Sequence, residues 1–229
     1  MHLGADLGVP ATADPAAAFP ELPAALTAAP ATPTFLMVGT IEPRKGHLQA
    51  LAAFELLWQQ GVDVHLVIVG NEGWRPLSAP ERRTIPLIVQ RLERHPELGR
   101  RLFWLKGISD AALDEVYRRS ACLLAASEGE GFGLPLIEAA LHRLPILARA
   151  LPVFREVAGE HAHFFSGDDG AALAAAVREW LALSAAGRAP ASTPMRWLTW
   201  QQHARQLLRV LALAPADAAA PPRERLAPR

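Results

Sequence analysis

The sequence predicts an α/β domain built on a doubly wound parallel sheet. Short apolar runs alternate along the chain with longer segments whose apolar residues recur at helical spacing, about six of each. The best-defined run, Val64 to Val69, is nearly continuous in branched apolar residues, as a strand covered on both faces requires. Near residue 130 an apolar run passes into a glycine-rich loop, and the loop opens a helix.

Residues 1–33 are expected to be a connecting segment. Pro10, Pro15, Pro20, Pro23, Pro30 and Pro33 forbid a continuous helix or a central strand. Phe35–Val38 is the first predicted strand, followed by the loop Gly39–Gly46 and a helix to about Gln60 carrying Leu48, Leu51, Phe54 and Trp58 on one face. Val64–Val69 is the second strand. Pro80 to His95 reads as an amphipathic helix interrupted early by Pro86. Arg101–Leu105 is the third strand and leads to Lys106, Gly107 and Ile108.

Ser109 is the better N-cap for a helix over Ala111–Ser120, and with Ala112 three residues on, no capping box forms. Cys122–Ala126 is the fourth strand, and the helix after the glycine loop runs to about Arg143. Leu144–Ala148 and Ala162–Phe165 complete the strands, and Asp169 caps an alanine-rich helix over Ala171–Leu183. A last helix is expected over Met195–Leu213, which puts the folded domain at 34–213 and leaves 214–229 as a disordered Ala/Pro/Arg tail.

Bulk properties narrow the function classes. The 229 residues suffice for a proper core, and 51% hydrophobic with 20% charged residues suits a globular protein. Lys plus Arg and Asp plus Glu both total 23, so no global basic field points to nucleic acid. Cys122, the sole cysteine, precludes an intrachain disulfide. No apolar stretch approaches the roughly 18 residues that span a bilayer, and Met1–Asp6 lacks the pattern of a signal peptide, so a cytoplasmic location is expected. Eight histidines include no His-Glu-x-x-His helix, so no metal is expected; no nucleophile elbow and no Walker loop occur.

The chemistry converges on Ser127-Glu-Gly-Glu-Gly-Phe-Gly-Leu-Pro-Leu-Ile-Glu-Ala139. Gly131 and Gly133 allow a tight turn with no side chain between the backbone amides and a ligand. The following helix offers unpaired N–H groups and the positive end of its dipole, a ready phosphate site. Carboxylates at Glu130 and Glu138 bracket the loop and suit the hydroxyls of sugars and riboses. Spacing alone also fits a glycine-rich turn of any doubly wound domain with Glu138 solvated. The dinucleotide fingerprint is absent, because no third glycine stands at the required offset and the loop lies mid-chain. Arg44 and Lys45 sit at the C-terminal edge of the first strand, where two cations suit a diphosphate; a lone Arg-Lys pair is more commonly a pair of solvated loop charges.

The string Glu130-Gly-Phe-Gly-Leu-Pro-Leu-Ile-Glu138-Ala resembles the E-x7-E element of the retaining, nucleotide-sugar-dependent glycosyltransferases of group 1, which have the two-domain GT-B architecture. The resemblance implies that the chain is the Rossmann-like, C-terminal, donor-binding half of that architecture, beginning at the domain boundary near His2–Asp6. Gly39-Thr40-Ile-Glu-Pro-Arg44-Lys45 resembles the family's phosphate-gripping loop, with Thr40 where many members place an arginine. Leu151–Gly159 partly matches its short "LPE-G" helix. Gly73-Trp74 resembles a mannosyl- and rhamnosyltransferase subgroup of surface polysaccharide synthesis.

By this resemblance Lys45 and Arg44 neutralise the diphosphate, with Gly39 and Thr40 beside them. The amides of Gly131, Phe132, Gly133 and Leu134 hold the distal phosphate. Glu138 accepts from the ribose, Glu130 faces the donor sugar, and Lys106, Gly107 and Ile108 lie beside the base. The implied substrate is a nucleoside-diphosphate sugar, with no metal or other cofactor. The implied partners are a glycan or lipid-linked acceptor and an N-terminal acceptor domain or partner subunit, through which peripheral membrane association would arise. The alternative is a non-catalytic nucleotide-binding module acting with a partner.

Overall fold

The computed structural model describes residues 19–27, 32–78 and 80–211. Six strands form one parallel sheet: β1 (Thr34–Val38), β2 (His65–Val69), β3 (Leu102–Leu105), β4 (Cys122–Ala125), β5 (Ile146–Arg149) and β6 (His163–Phe165). Their order across the sheet is β3-β2-β1-β4-β5-β6. Phe35 of β1 pairs with Leu66 of β2 on one side and Cys122 of β4 on the other. The helices are α1 (Ala24–Thr27), α2 (His47–Gln59), α3 (Ile85–Glu93), α4 (Asp110–Arg119), α5 (Leu134–Leu141), α6 (Pro152–Ala158), α7 (Gly170–Ala185) and α8 (Trp200–Val210).

The period-2 alternation of strand side chains explains why the runs are apolar throughout. Phe35, Leu66 and Ile68 face one way, into a core with Phe54 and Leu57 of α2, Leu92 of α3 and Trp180 of α7. Leu36, Val67, Leu123 and Ile146 face the other way, against Val116 and Tyr117 of α4, Ala139 of α5 and Phe154 of α6. Phe35 meets Phe54 and Trp180 edge-on, with ring centroids 5.6 and 5.2 Å away. The chain is therefore a Rossmann-like three-layer domain, as the alternating pattern predicts.

Three elements differ from the sequence reading. Within the expected connecting segment, α1 forms between Pro23 and Pro30, and Leu22 and Leu26 are buried in the second core, because the prolines flank this one turn and do not interrupt it. Pro86 does not interrupt a helix begun at Pro80; it sits in the first turn of α3, where its missing N–H would have had no helical partner anyway, and residues 80–84 are turns. The last helix starts at Trp200, not Met195, because Thr199 and Gln202 close a reciprocal capping box there. Met195 is instead buried against the second core. Ser109 and Asp169 cap α4 and α7 as expected, accepting from the amides of Ala112 and Ala172. The expected disordered tail 214–229, and the domain boundary near His2–Asp6, lie outside the described residues. Among the described residues no helix is long and apolar enough to cross a membrane.

Candidate functional site

Strands β1 and β4 are neighbours, and the connections leave them in opposite directions across the sheet. In open α/β sheets this switch point opens a crevice beyond the carboxyl ends of the strands, where ligands bind. Both motif-bearing loops emerge there: 39–46 after β1 and 126–133 after β4.

The two loops are tied by side chains far apart in sequence. Lys45 lies in a 3-10 turn over Pro43–Lys45, and its stem passes Gly39, where a Cβ would lie 3.5 Å from Lys45 Cε. Its Nζ donates to Glu130 Oε2 at 2.6 Å. Arg44 Nη1 lies 2.9 Å from the same oxygen and donates to the Gly129 carbonyl at 3.0 Å. The Glu128 amide donates to the Arg44 carbonyl at 2.7 Å. Ser127 Oγ, 3.4 Å from Oε2, completes the ring around Glu130. Burial would raise the Glu130 carboxyl, but the hydrogen bond and charge of Lys45, with Arg44 behind it, outweigh burial and hold it below its ordinary range. Thr40 donates to Glu42 at 2.7 Å, and the other oxygen of Glu42 lies 3.1 Å from Arg44 Nε.

Two helix N-termini converge on the same crevice. α2 begins at Gly46, with φ 74°; a Cβ there would lie 2.2 Å from the Ala126 carbonyl oxygen, so only glycine lets α2 start directly on the end of β4. α5 begins at Gly133, with φ 92°, where a Cβ would lie 2.8 Å from Phe154 Cε1. Neither helix has a side-chain cap or an acidic residue in its first turn. Both therefore present free amides and positive dipole ends, an arrangement that attracts phosphate.

Beneath them a small cavity of about 20 Å³ is lined by Lys45, His47, Ser127, Glu130, Gly133 and Phe154 among others. His47 is buried there; burial lowers its pKa to about 4, the Lys45 charge adds to this, the Glu42 backbone opposes it, and the imidazole is neutral. Its Nδ1 is buried without a hydrogen-bond partner. A roomier cleft of about 560 Å³ lies by Trp58, Arg91 and Arg101, but those arginines are already paired with Glu55 and Glu97.

Of the residues expected at the site, Arg44, Lys45, Glu130, Gly39 and Gly133 come together. Glu138, in the second turn of α5, accepts at Oε2 from the Tyr117 hydroxyl at 2.6 Å. Lys106 Nζ lies 4.1 Å over the Trp104 ring and 3.8 Å from Glu93, not against Glu130. Gly107 has φ 63° in open space, and Ile108 packs on the second core. Phe132 is half-buried and Leu134 exposed. Gly131 lies in a bend with open space where its side chain would be, but of the two glycines Gly133 alone adopts the left-handed conformation.

Sequence reasoning missed Tyr117, His47, Ser127 and Arg149. Arg149 caps the end of β5, donating to the Ala126 carbonyl at 3.2 Å and to Gln49 and Gly167, so it ties the 126–133 loop to α2 and to the turn after β6. An arginine closing an otherwise apolar strand was the available signal.

The family described as "Glycosyl transferases group 1" matches residues 19–192. The chain is 50% identical over 219 residues to the Serotype-specific mannosyltransferase WbdA of Escherichia coli, which covers 94% of this chain and 25% of that protein. It thus spans about a quarter of the length of the curated relatives it matches at that identity. The sucrose-phosphate synthase of Thermosynechococcus elongatus superposes with TM-score 0.62 and 27% identity over 81% of this chain and 47% of that one. Anabaena Alr3699/HepE, solved in complex with UDP and glucose, superposes with TM-score 0.59 and 16% identity over 79% and 48%. The shared fold is the Rossmann-like half of a GT-B architecture.

Proposed function

Because the chain belongs to the glycosyl transferases group 1 family, we propose that it is the donor-binding part of a retaining glycosyltransferase. The enzyme would move a hexose from a nucleoside-diphosphate sugar to a glycan or lipid-linked acceptor in cell-surface polysaccharide synthesis. Mannose is the sugar we infer, from the name of the relative at 50% identity. The observation that carries the reading is the pairing of Lys45 and Arg44 with one carboxylate, Glu130, at the sheet's switch point, with the uncapped starts of α2 and α5 lining the same small cavity.

In this reading Lys45 and Arg44 grip the diphosphate, and the amides from Gly131 to Leu134 hold its distal phosphate. As the bond from the anomeric carbon to the diphosphate breaks, negative charge grows on the leaving oxygen, and these fixed cations and dipoles stabilise it without reorganising. Two side-chain cations face two carboxylates, Glu130 and Glu42, so the helix dipole ends share the work of holding the diphosphate, and this reading includes no resident metal. Glu130, held ionised by its partners, faces the donor sugar, accepts from its hydroxyls and stabilises an oxocarbenium-like centre. Glu138 accepts from the ribose, and Lys106, Gly107 and Ile108 lie beside the base. The acceptor and further catalytic contacts come from an N-terminal domain or partner subunit, working on the cytoplasmic side with peripheral contact to the membrane.

A second reading, a nucleotide-binding module without turnover, is favoured by Thr40, which adds no charge and is bound to Glu42. The test uses the full-length protein with nucleoside-diphosphate mannose and a mannan acceptor, following the anomeric proton of the product by NMR. A product that keeps the donor's anomeric configuration is expected. An inverted product would overturn the retaining assignment, and tight binding with no product would select the module.

A further inference from the structure

Glu138 is the only carboxylate proposed for the nucleotide's ribose, yet it stands on a helix surface with nothing in its own turn to orient it. The neighbouring helix supplies that orientation. Tyr117 of α4 is 2% exposed, and its hydroxyl donates to Glu138 Oε2 at 2.6 Å, the short length of a charge-assisted O–H···O⁻ bond. The phenol ring is itself clamped. It stacks on the His142 imidazole with centroids 4.8 Å apart and planes 3° from parallel, and His142 Nε2 lies 3.2 Å from Asp114 Oδ1. Asp114, Tyr117, Glu138 and His142 thus form one packed unit between α4 and α5.

We propose that Tyr117 is a positioning residue: it fixes one oxygen of Glu138, so that the other stands ready for the ribose hydroxyls of the donor nucleotide. The inference rests on the ribose role proposed above for Glu138. A carboxylate offers about four acceptor sites on its two oxygens, and Tyr117 occupies one, leaving enough for a vicinal diol. Fixing the side chain before the nucleotide arrives removes the entropy cost of ordering it on binding. The phenol remains a donor throughout, since burial first, and then the charge and hydrogen bond of Glu138, raise its pKa well above the ordinary value. Chemical logic also favours a neutral donor here. A lysine or arginine would hold Glu138 as well, but would compete with the diol by drawing both oxygens to itself.

A purely structural bond between α4 and α5 would have the same geometry, so the test must read the ribose and not stability. Calorimetry on the full chain first compares UDP, GDP and ADP, then takes the tightest binder and its 2′,3′-dideoxy counterpart. In the wild type the ribose form should bind about tenfold more tightly. In Tyr117→Phe that preference should shrink to about twofold, while affinity for the dideoxy nucleotide stays unchanged. Glu138→Ala should show the same loss, and adding Tyr117→Phe to it should cost nothing more. If the phenylalanine variant folds poorly, His142→Ala, which removes the ring stacked on the phenol and leaves the hydroxyl and the carboxylate in place, should shrink the ribose preference in the same direction. Equal weakening of both nucleotides, or no change in either, would overturn the positioning role. A wild type that binds both nucleotides equally would instead overturn the ribose role of Glu138, and the inference with it.

Discussion

Lys45→Met is the perturbation that separates a phosphate grip from an incidental loop charge. Methionine keeps an aliphatic stem against Gly39 and deletes only the ammonium. The Lys45 and Glu130 side chains are 13% and 12% exposed and meet at 2.6 Å. Unit charges about 4 Å apart interact by about 1 kcal/mol in water and about 4 kcal/mol at the effective dielectric of a protein surface. A site this sheltered lies between those limits, so the loss toward a diphosphate should be about 2–3 kcal/mol, or about 30- to 150-fold in Kd. The bare nucleoside should bind within about twofold of wild type, since no charge on it is lost a partner. Urea denaturation supplies a second readout. Glu130 keeps Arg44, so the variant should lose only about 1–2 kcal/mol of stability. The folded Glu130 pKa is depressed, so its contribution is present above the unfolded value of about 4.3 and fades as pH falls through the lower folded value. The stability gap between wild type and variant should therefore close below about pH 4.3. Equal losses for nucleoside and diphosphate by calorimetry would refute the reasoning.

Arg44 is 43% exposed, so Arg44→Ala should weaken diphosphate binding by less than about fivefold, and a loss matching that of Lys45→Met would reverse their assigned weights. Gly133→Ala should cost about 2–3 kcal/mol, through the left-handed φ and the Phe154 contact, whereas Gly131→Ala should stay within about 0.5 kcal/mol; thermal melts that rank them the other way would contradict the loop geometry. His47 has a folded pKa of about 4 against 6.5 unfolded, so as pH falls below 6.5 the unfolded chain takes up a proton that the native one refuses. Stability should fall by about 1.4 kcal/mol per pH unit toward pH 4 on this account, a slope that His47→Gln should flatten in urea titrations at pH 7, 5.5 and 4.5.

Where the structure follows from local pattern, the sequence displayed it. The apolar runs around Val64–Val69 and Cys122–Ala126 marked buried strands, and Ser109 and Asp169 marked helix starts, because strand period and capping act within a few residues. Pro86 misled only because a proline reads alike as helix breaker or helix opener until the turn before it is known. The start of α8 was legible in Thr199-x-x-Gln202 but was outweighed by the apolar spacing from Met195 onward. Non-local facts were not legible. Lys45 and Glu130 are 85 residues apart, and nothing in either loop announces that one neutralises the other. Tyr117 and Glu138 meet only because β4 places α4 and α5 side by side, a consequence of sheet order that no local pattern encodes. Likewise, Gly131 and Gly133 look equivalent in sequence, and only the left-handed φ of Gly133 and its contact with Phe154 distinguish them.

The central claim is that the β1–β4 crevice binds a nucleoside diphosphate. Calorimetric titration of the chain with UDP, GDP, ADP and dTDP, each beside its monophosphate, tests it most directly. The account predicts saturable binding of one diphosphate, about tenfold or more tighter than its monophosphate, because the second phosphate is the one that Lys45 and the α5 amides hold. A diphosphate and monophosphate that bind equally well would show a nucleotide held by base and ribose alone, and would contradict it.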